Sequence, residues 1–379
     1  MKVILCSYFK YPDGDAGSVR HEKFAQMLQR LGHDVFVVGI GNFNNFQIAS
    51  SKGIEYTSLR YSKPNIICKI QTRLLYWKNF KRFLCEYNPD CIIMDDMRPF
   101  VTLKLKKYCK KHQIKLVHDS VEWYSKEQFS LGVFSISLQN KNLLNRVLID
   151  KQIKVISISQ YLHKYYSNKG IESVNIPIVV SDEDLVKEKS LQDKINFTYA
   201  GQAGKKDYIH VILNAMSLLT EEERSKFQFN IVGCTLDQLI KNGLSQSIID
   251  IVKKSLVVCG RVPRSKVLEV LKETDFTILM RSPVQRYAKA GFPTKAVESF
   301  AHSTPMIANV TSDLGKYMID GYNSFVVEEC SPEALALVLK KVLDLSLEQR
   351  EEMCKNAYDT AVTKLHYNNF LEEFKYIIK

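Results

Sequence analysis

Residues 288–305, AKAGFPTKAVESFAHSTP, contain the features that decide the fold. Gly291 and Pro293 mark a loop, and the apolar residues after it recur at helical spacing and form one stripe. Pro293 suits the first helical turn, because the N–H that proline lacks would have no partner there. Glu298 falls about one and a half turns inside this helix. Residues 306–309 (MIAN) predict a buried strand, so the segment predicts a loop, a helix and a strand of an α/β sheet.

The predicted start of this helix suits an anion. The backbone N–H groups of a first turn have no partner within the helix, and the helix dipole adds partial positive charge. Phosphate is the usual anion at such a position.

Length and composition limit the class of protein. A chain of 379 residues with 45% hydrophobic and 25% charged residues suits a folded protein of two domains. Nine cysteines without a C-x-x-C pair favour free thiols in a reducing cytoplasm over disulfides or a zinc site. The start, MKVILCSYF, is too short an apolar run for a signal sequence, and no apolar stretch approaches the roughly 18 residues of a membrane span. The net charge of +12 favours acidic partners, such as nucleotide sugars, anionic lipids or nucleic acid.

The order of the predicted elements indicates two α/β domains, residues 1–180 and 195–361, joined by a charged linker at 177–194. An amphipathic helix, 362–379, follows the second domain. Polar residues stand at the carboxyl ends of the strands, where open α/β sheets bind ligands. The predicted strands are 2–7, 34–40, 54–59, 91–94, 115–118, 153–158, 195–200, 227–233, 256–260, 276–280 and 306–309.

The segment around residue 291 resembles the signature of the retaining glycosyltransferases of family 4. In that family, two glutamates eight positions apart flank a G-F-x loop, and a helix and a G-x-P-V-I strand follow. Ala290 stands at the first glutamate, and Ser303 replaces the usual glycine before the proline. The matching residues are Gly291, Phe292, Pro293, Glu298, Pro305 and Ile307.

The resemblance implies a GT-B fold, in which two Rossmann-like parallel-sheet domains face each other across a cleft. It implies a hexosyltransferase of the bacterial surface-polysaccharide type that moves a sugar, with retention of configuration, from a nucleotide-diphosphate sugar, expected to be UDP-linked. The acceptor, a saccharide or lipid-linked saccharide, is expected on residues 1–180, and helix 362–379 is expected to pack back on that domain. Neither a cofactor nor a metal is expected. The expected location is the cytoplasm, at the inner face of the plasma membrane.

The resemblance also assigns donor-binding roles. Glu298 matches the glutamate that holds the ribose, and the missing first glutamate normally touches the transferred sugar. We therefore expect Ala290, with Lys289 beside it, to tune the donor pocket to an uncommon sugar. In the turn GQAGKK (201–206), Lys206, with Lys205 as the alternate, matches a family lysine, whereas solvated lysines are the plain structural interpretation. The predicted donor-binding residues are Gly17, Lys205, Lys206, Arg261, Val262, Gly291, Phe292, Pro293, Thr294 and Glu298.

Catalytic and acceptor-binding residues are predicted in the same way. His118 matches a histidine at a strand end beside the transferred sugar, although a core or capping histidine is the plain alternative. Arg281, at the end of strand 276–280, could pair with phosphate or neutralise a neighbouring carboxylate. The predicted catalytic residues are His118, Lys206 and Arg281, and the predicted acceptor-binding residues are Arg20, His21 and Glu122.

Residues 65–86 combine large apolar side chains with five Lys or Arg, a composition that suits contact with an anionic membrane. The alternative is a helix that packs its apolar face on the sheet.

Two other functions stay open. A non-hydrolysing nucleotide-sugar epimerase shares this architecture, and a donor-binding pseudoenzyme would fit the loss of the first glutamate. Nucleic acid is not expected as a partner, because the basic residues are spread along α/β helices rather than clustered with aromatic residues.

Overall fold

The computed structural model describes residues 1–12, 16–40, 47–59, 66–201, 204 and 206–379, with the backbone alone at 66–74 and at the helical residue 264. The chain divides into two compact units. The first comprises Met1–Val179 and Tyr367–Lys379, and the second comprises Val180–His366.

The first unit is built on an eight-stranded sheet with the order β3-β4-β2-β1-β5-β6-β7-β8. All neighbours are parallel except the pair β3 and β4. The strands are β1 (Lys2–Cys6), β2 (Asp34–Gly39), β3 (Ala49–Ser51), β4 (Ile54–Ser58), β5 (Cys91–Met94), β6 (Lys115–Ser120), β7 (Lys154–Ser157) and β8 (Ser173–Asn175). The helices are α1 (Ala16–Arg30), α2 (Ile66–Tyr87), α3 (Pro99–His112), α4 (Ile136–Leu143) and α5 (Gln160–Asn168), and a π-helical segment, Leu144–Leu148, continues α4.

The second unit has a six-stranded, fully parallel sheet with the order β11-β10-β9-β12-β13-β14. The strands are β9 (Ile195–Ala200), β10 (Phe227–Val232), β11 (Leu256–Gly260), β12 (Phe276–Leu279), β13 (Met306–Ala308) and β14 (Ser324–Val326). The helices are α6 (Ile209–Ser217), α7 (Glu221–Ser225), α8 (Leu236–Lys241), α9 (Gln246–Val252), α10 (Arg264–Lys272), α11 (Arg286–Ala290), α12 (Thr294–Ala301), α13 (Pro332–Leu343) and α14 (Leu347–Thr360).

Each sheet has one point at which the strand order reverses. Chain order runs outward in both directions from β1 in the first sheet, apart from the antiparallel edge strand β3, and from β9 in the second. Open α/β sheets bind ligands beyond the carboxyl ends of the strands at such a point. The relevant edges are therefore those of β1 with β5 and of β9 with β12.

The last residues return to the first unit in pieces rather than as the single helix predicted for 362–379. A π-helical segment, Ala361–Leu365, ends the second unit, and a 3₁₀ turn, Tyr367–Phe370, precedes α15 (Leu371–Ile378). Phe374 is buried against Phe24, with ring centroids 4.9 Å apart. Apolar burial in the core of the first unit thus fixes α15 there.

The segment predicted as a linker, 177–194, is also more structured than expected. Its residues from Val180 onward belong to the second unit. The Lys189 ammonium donates to the carbonyl oxygens of Leu271 and Thr274 at 2.6 and 2.7 Å. These bonds tie the segment to the second unit, because a buried ammonium needs acceptors.

The described half of α2 supports the packing alternative rather than membrane contact. Tyr76, Phe80, Phe83 and Leu84 are buried, and the Phe83 ring lies 5.0 Å from that of Phe36 in β2. These side chains are therefore not available to a bilayer. Among the described residues, no helix combines the length and the apolar character that crossing a bilayer requires.

Candidate active site

A cluster of charged side chains lies at the switch point of the second sheet, where β9 and β12 end. The Asp207 carboxylate accepts hydrogen bonds from Arg281 Nε at 2.7 Å, from Lys295 Nζ at 2.6 Å and from the Tyr199 hydroxyl at 2.8 Å. The Lys295 ammonium also lies 5.2 Å from the centre of the Tyr199 ring. We call Tyr199, Asp207, Arg281 and Lys295 the Asp207 cluster.

Backbone contacts fix the position of this cluster. Asp207 and Arg281 form an isolated antiparallel bridge, and Tyr208 N–H donates to Met280 O at 2.8 Å. The Asn309 side chain, just after β13, accepts from Arg281 N–H at 2.9 Å and donates to Arg281 O at 2.8 Å. The strand ends therefore hold Arg281 from both sides.

Two glycines allow the strand ends to approach closely. A Cβ on Gly201 would overlap the Lys295 side chain at Cε, and a Cβ on Gly233 would lie 2.5 Å from Gly201 O. Gly233 also has φ +107°, which side chains disfavour. Gly201 must lack a side chain if Lys295 is to reach Asp207, and Gly233 must lack one if the ends of β9 and β10 are to lie this close together.

The Asp207 cluster is net positive. Burial opposes ionisation of Asp207, but Arg281 and Lys295 outweigh it and hold the pKa of that carboxyl well below its ordinary value. Burial, followed by the Asp207 charge, raises the pKa of the Tyr199 hydroxyl, which stays a neutral donor. Two cations against one carboxylate leave one positive charge at the sheet edge. Such an edge can attract and orient an anion.

Lys206, predicted to bind donor, directly precedes Asp207 and is partly buried. Its carbonyl accepts from the Tyr287 hydroxyl at 2.6 Å, which ties α11 to this turn. Gln202 and Lys205 lie outside the described residues. Arg281 pairs with the Asp207 carboxylate, and neutralising a carboxylate was one of the two roles predicted for Arg281.

The signature loop lies at the same edge. Pro293 is the N-cap of α12 rather than a residue of its first turn, so the helix begins one residue later than predicted, at Thr294. Phe292 is buried, its ring 5.5 Å from that of Tyr317, so only its backbone can face a ligand. Gly291 precedes it with extended backbone. Glu298 is partly buried and follows Lys295 by three positions, on the same side of α12.

Arg261 and Val262 follow β11, two strands from β9. At the sheet spacing this is about 10 Å from the Asp207 cluster along the same edge. Gly233 N–H donates to Gly260 O at 2.7 Å, which links the ends of β10 and β11. Arg261 is exposed and Val262 is partly buried.

In the first unit, the predicted acceptor-binding residues Arg20 and His21 are buried in α1. Arg20 binds Asp119 through two bonds of 2.8 and 2.9 Å and donates to Pro177 O at 2.6 Å. Burial and the Arg20 charge lower the pKa of His21 to about 3. Both side chains are buried, and the Arg20 guanidinium is bonded within the unit, so direct contact of Arg20 and His21 with an acceptor stays a prediction.

His118 does not end its strand, because β6 continues to Ser120 through parallel pairs with β7. Its ring is fully buried, and burial, with a smaller contribution from Lys141, lowers its pKa to about 4. The core alternative fits this position, and Glu122, partly buried just past the strand end, lies nearer the edge. Gly17 is the second residue of α1 rather than a loop residue.

The switch point of the first sheet carries a second buried carboxyl, Asp95. The Ser7 hydroxyl donates to it at 3.3 Å, and the neighbouring Asp96 pairs with Lys141. Burial, followed by repulsion from Asp96 and Asp119, raises the pKa of Asp95 to about 8. Among the described residues, no three His, Cys, Asp or Glu side chains converge as metal ligands.

Sequence comparison shows that the second unit is similar to a known family. Residues 180–360 match the family model described as Glycosyl transferases group 1. The chain is also 19% identical over 368 residues, or 91% of its length and 89% of the relative, to an uncharacterized glycosyltransferase of Methanocaldococcus jannaschii.

Comparison with solved structures shows the fold of the chain. Sucrose-phosphate synthase from Thermosynechococcus elongatus aligns with a TM-score of 0.77 at 14% identity, covering 99% of this chain and 97% of that one. WaaG, a glycosyltransferase involved in lipopolysaccharide biosynthesis, aligns with a TM-score of 0.70 at 15% identity and 99% coverage of both chains. Anabaena HepE in complex with UDP and glucose aligns at 0.69 and 14% identity, covering 99% and 98%. The predicted GT-B fold is confirmed.

Sequence reasoning missed four residues at this sheet edge, namely Tyr199, Asp207, Lys295 and Asn309. Lys295 was detectable as a cation in the first turn of the signature helix. Its partner Asp207 is 88 positions away, so the ion pair itself becomes visible only in the folded unit.

Proposed function

We propose that the protein is a retaining family 4 hexosyltransferase that takes its sugar from a UDP-linked donor. Its acceptor is a saccharide or lipid-linked saccharide, and the reaction serves the synthesis of cell-surface polysaccharide. The donor binds mainly to the second unit and the acceptor to the first.

The Asp207 cluster is the observation that carries this proposal. Two cations, fixed by a buried carboxylate and an asparagine clamp, stand at the switch point beside the start of α12. The first-turn amides of α12 add a partial positive charge to the same edge. A diphosphate is the substrate group that such an edge suits best.

Chemically, this edge would stabilise a leaving group. As the bond between the anomeric carbon and the phosphate loosens, negative charge grows on the departing nucleoside diphosphate. Donors that are already fixed in place stabilise such charge without reorganising. Lys295, Arg281 and Lys206 would supply them, and Glu298 would hold the ribose hydroxyls. No metal is needed for the charge balance in this scheme.

The comparisons support the same substrate class. HepE has been crystallised with UDP and glucose, and WaaG takes part in lipopolysaccharide biosynthesis. The sequence family of residues 180–360 supports glycosyl transfer.

A thermal-shift screen of nucleotides and nucleotide sugars tests the proposal. A ligand at 100 times its dissociation constant stabilises by about 2.7 kcal/mol, so UDP and a UDP-sugar should raise the melting temperature. If no nucleotide does so, the donor assignment is wrong. Incubation of the best donor without acceptor, followed by chromatography of the sugar nucleotide, would reveal an epimerase instead.

Donor choice can be tested at Ala290, which is fully buried at the end of α11. Ala290→Glu should change the ranking of UDP-sugars in the same screen, with Ala290→Gln as the control of equal size. An unchanged ranking in folded Ala290→Glu protein would argue against a role for this position in donor choice.

A further inference from the structure

A short segment of the first unit exposes an unusual number of large apolar side chains. Of the six residues 131–136, four are apolar and mostly exposed: Leu131 at 67%, Val133 at 50%, Phe134 at 82% and Ile136 at 76%. Single exposed apolar residues are ordinary, but a contiguous group marks an interaction surface.

The backbone of this segment is held in turns. Gly132 N–H donates to Phe129 O at 3.1 Å, and Phe134 N–H donates to Leu131 O at 2.9 Å. Gln139 Nε2 donates to Val133 O at 2.5 Å and ties the turns to α4. The apolar side chains are thus presented by backbone that is already hydrogen-bonded, which suits entry into an apolar medium.

The helical run that follows continues the apolar surface. Ile136, Leu143 and Val147 are exposed and occur at spacings of seven and four, which places them on one face. Leu138, Leu144 and Leu148 are buried on the opposite side.

Beside this run lies a strongly basic helix. α3 packs against residues 144–148, and Lys106 pairs with Asp150 just beyond them. The α3 sequence, PFVTLKLKKYCKKH, contains five lysines and no acidic residue, and both Phe100 and Leu103 are exposed. Lys104 Nζ lies 5.4 Å from the centre of the Phe100 ring.

We propose that these elements form a docking face for an anionic lipid bilayer. The docking face consists of Leu131, Val133, Phe134, Ile136, Leu143 and Val147, together with α3. Apolar side chains that enter the interface next to exposed lysines are the composition that binds such membranes. Binding of the docking face to a bilayer does not itself require catalysis. The biological role of that binding rests on the proposed function, in which the acceptor is lipid-linked.

Vesicle co-sedimentation of the full chain tests the docking face. The wild type should bind vesicles that contain 30% phosphatidylglycerol far better than pure phosphatidylcholine vesicles, and binding should weaken as salt screens the lysines. Phe134→Ser/Ile136→Ser and Lys104→Gln/Lys107→Gln should each weaken binding by about tenfold or more. The matched controls are Leu337→Ser and Lys341→Gln/Lys355→Gln, which alter exposed residues of the second unit and should bind like the wild type.

Three results would overturn the proposal: wild-type protein that stays in the supernatant with anionic vesicles, docking-face variants that bind as well as the controls, or a dimer in analytical ultracentrifugation that Phe134→Ser/Ile136→Ser abolishes. The last result would mean that the docking face is an interface between two copies of this chain. UDP-induced thermal shifts, measured on the same variants, report on the donor site, so failure of the docking face and failure of the proposed function are separable.

Discussion

Replacement of Lys295 by methionine is the sharpest test of the Asp207 cluster. The substitution keeps the side-chain length but removes an ammonium that lies 2.6 Å from the Asp207 carboxylate. We expect two effects: weaker donor binding with slower transfer, and a modest loss of stability.

The size of each effect follows from the geometry. Lys295 is 24% exposed, so solvent partly screens its charge and its ion pair with Asp207 contributes less than a fully buried pair would. Loss of one such donor typically slows turnover by about 10²–10³, or about 2.7–4 kcal/mol. Asp207 retains Arg281 and Tyr199, so the stability loss should stay within about 1.5–3 kcal/mol, the value of one hydrogen bond to a charged group.

Calorimetric titration with UDP and a turnover assay, read beside thermal melting, separate the two effects. Lys341→Met, on the exposed face of α13, is the matched control and should change none of these quantities. Asp207→Asn should also destabilise the unit, and it should weaken UDP binding less than Lys295→Met does, because it loosens both cations but removes neither. If Lys295→Met lowers only the melting temperature, or if both variants lose UDP affinity in parallel, Lys295 is structural and the reasoning fails.

Three further predictions concern single positions. Gly201→Ala should push Lys295 away from Asp207, so UDP should bind more weakly in titration while circular dichroism stays that of the wild type. Arg20→Leu should lower the free energy of unfolding by about 3–5 kcal/mol, because it leaves the buried Asp119 carboxylate without its cation. Chemical unfolding measures this loss, and a loss below about 1 kcal/mol would contradict the prediction. Asp95 keeps its proton in the folded state up to about pH 8, whereas an unfolded aspartate loses it near pH 4. The contribution of Asp95 to the free energy of unfolding is therefore complete below pH 4 and declines as the pH rises to 8. The melting temperature of the wild type should fall more steeply than that of Asp95→Asn between pH 6.5 and 8.

The sequence predicted the layout of the second unit well. β9, β10 and β11 fall at or within one residue of their predicted bounds, and α12 begins one residue after Pro293. These elements combine strong apolar periodicity with glycine or proline at their ends, so local preference and tertiary packing agree.

The first unit shows where such reasoning fails. His118 follows an apolar run and precedes polar residues, which predicts a strand end, yet pairing with β7 continues to Ser120. Arg20 in a helix beside a loop suggests ligand contact, but its partner Asp119 is 99 positions away. Burial of a polar residue by a distant partner leaves no local pattern, so sequence periodicity cannot reveal it.

The return of residues 367–379 to the first unit has a consequence for biosynthesis. Tyr367, Phe374, Ile377 and Ile378 fill part of a core whose other buried residues are all made before Val180. During synthesis on the ribosome, the first unit lacks α15 until the whole second unit has been translated. The second unit is continuous in sequence and can complete its core first, so the amino-terminal unit is the one that needs protection from aggregation during synthesis.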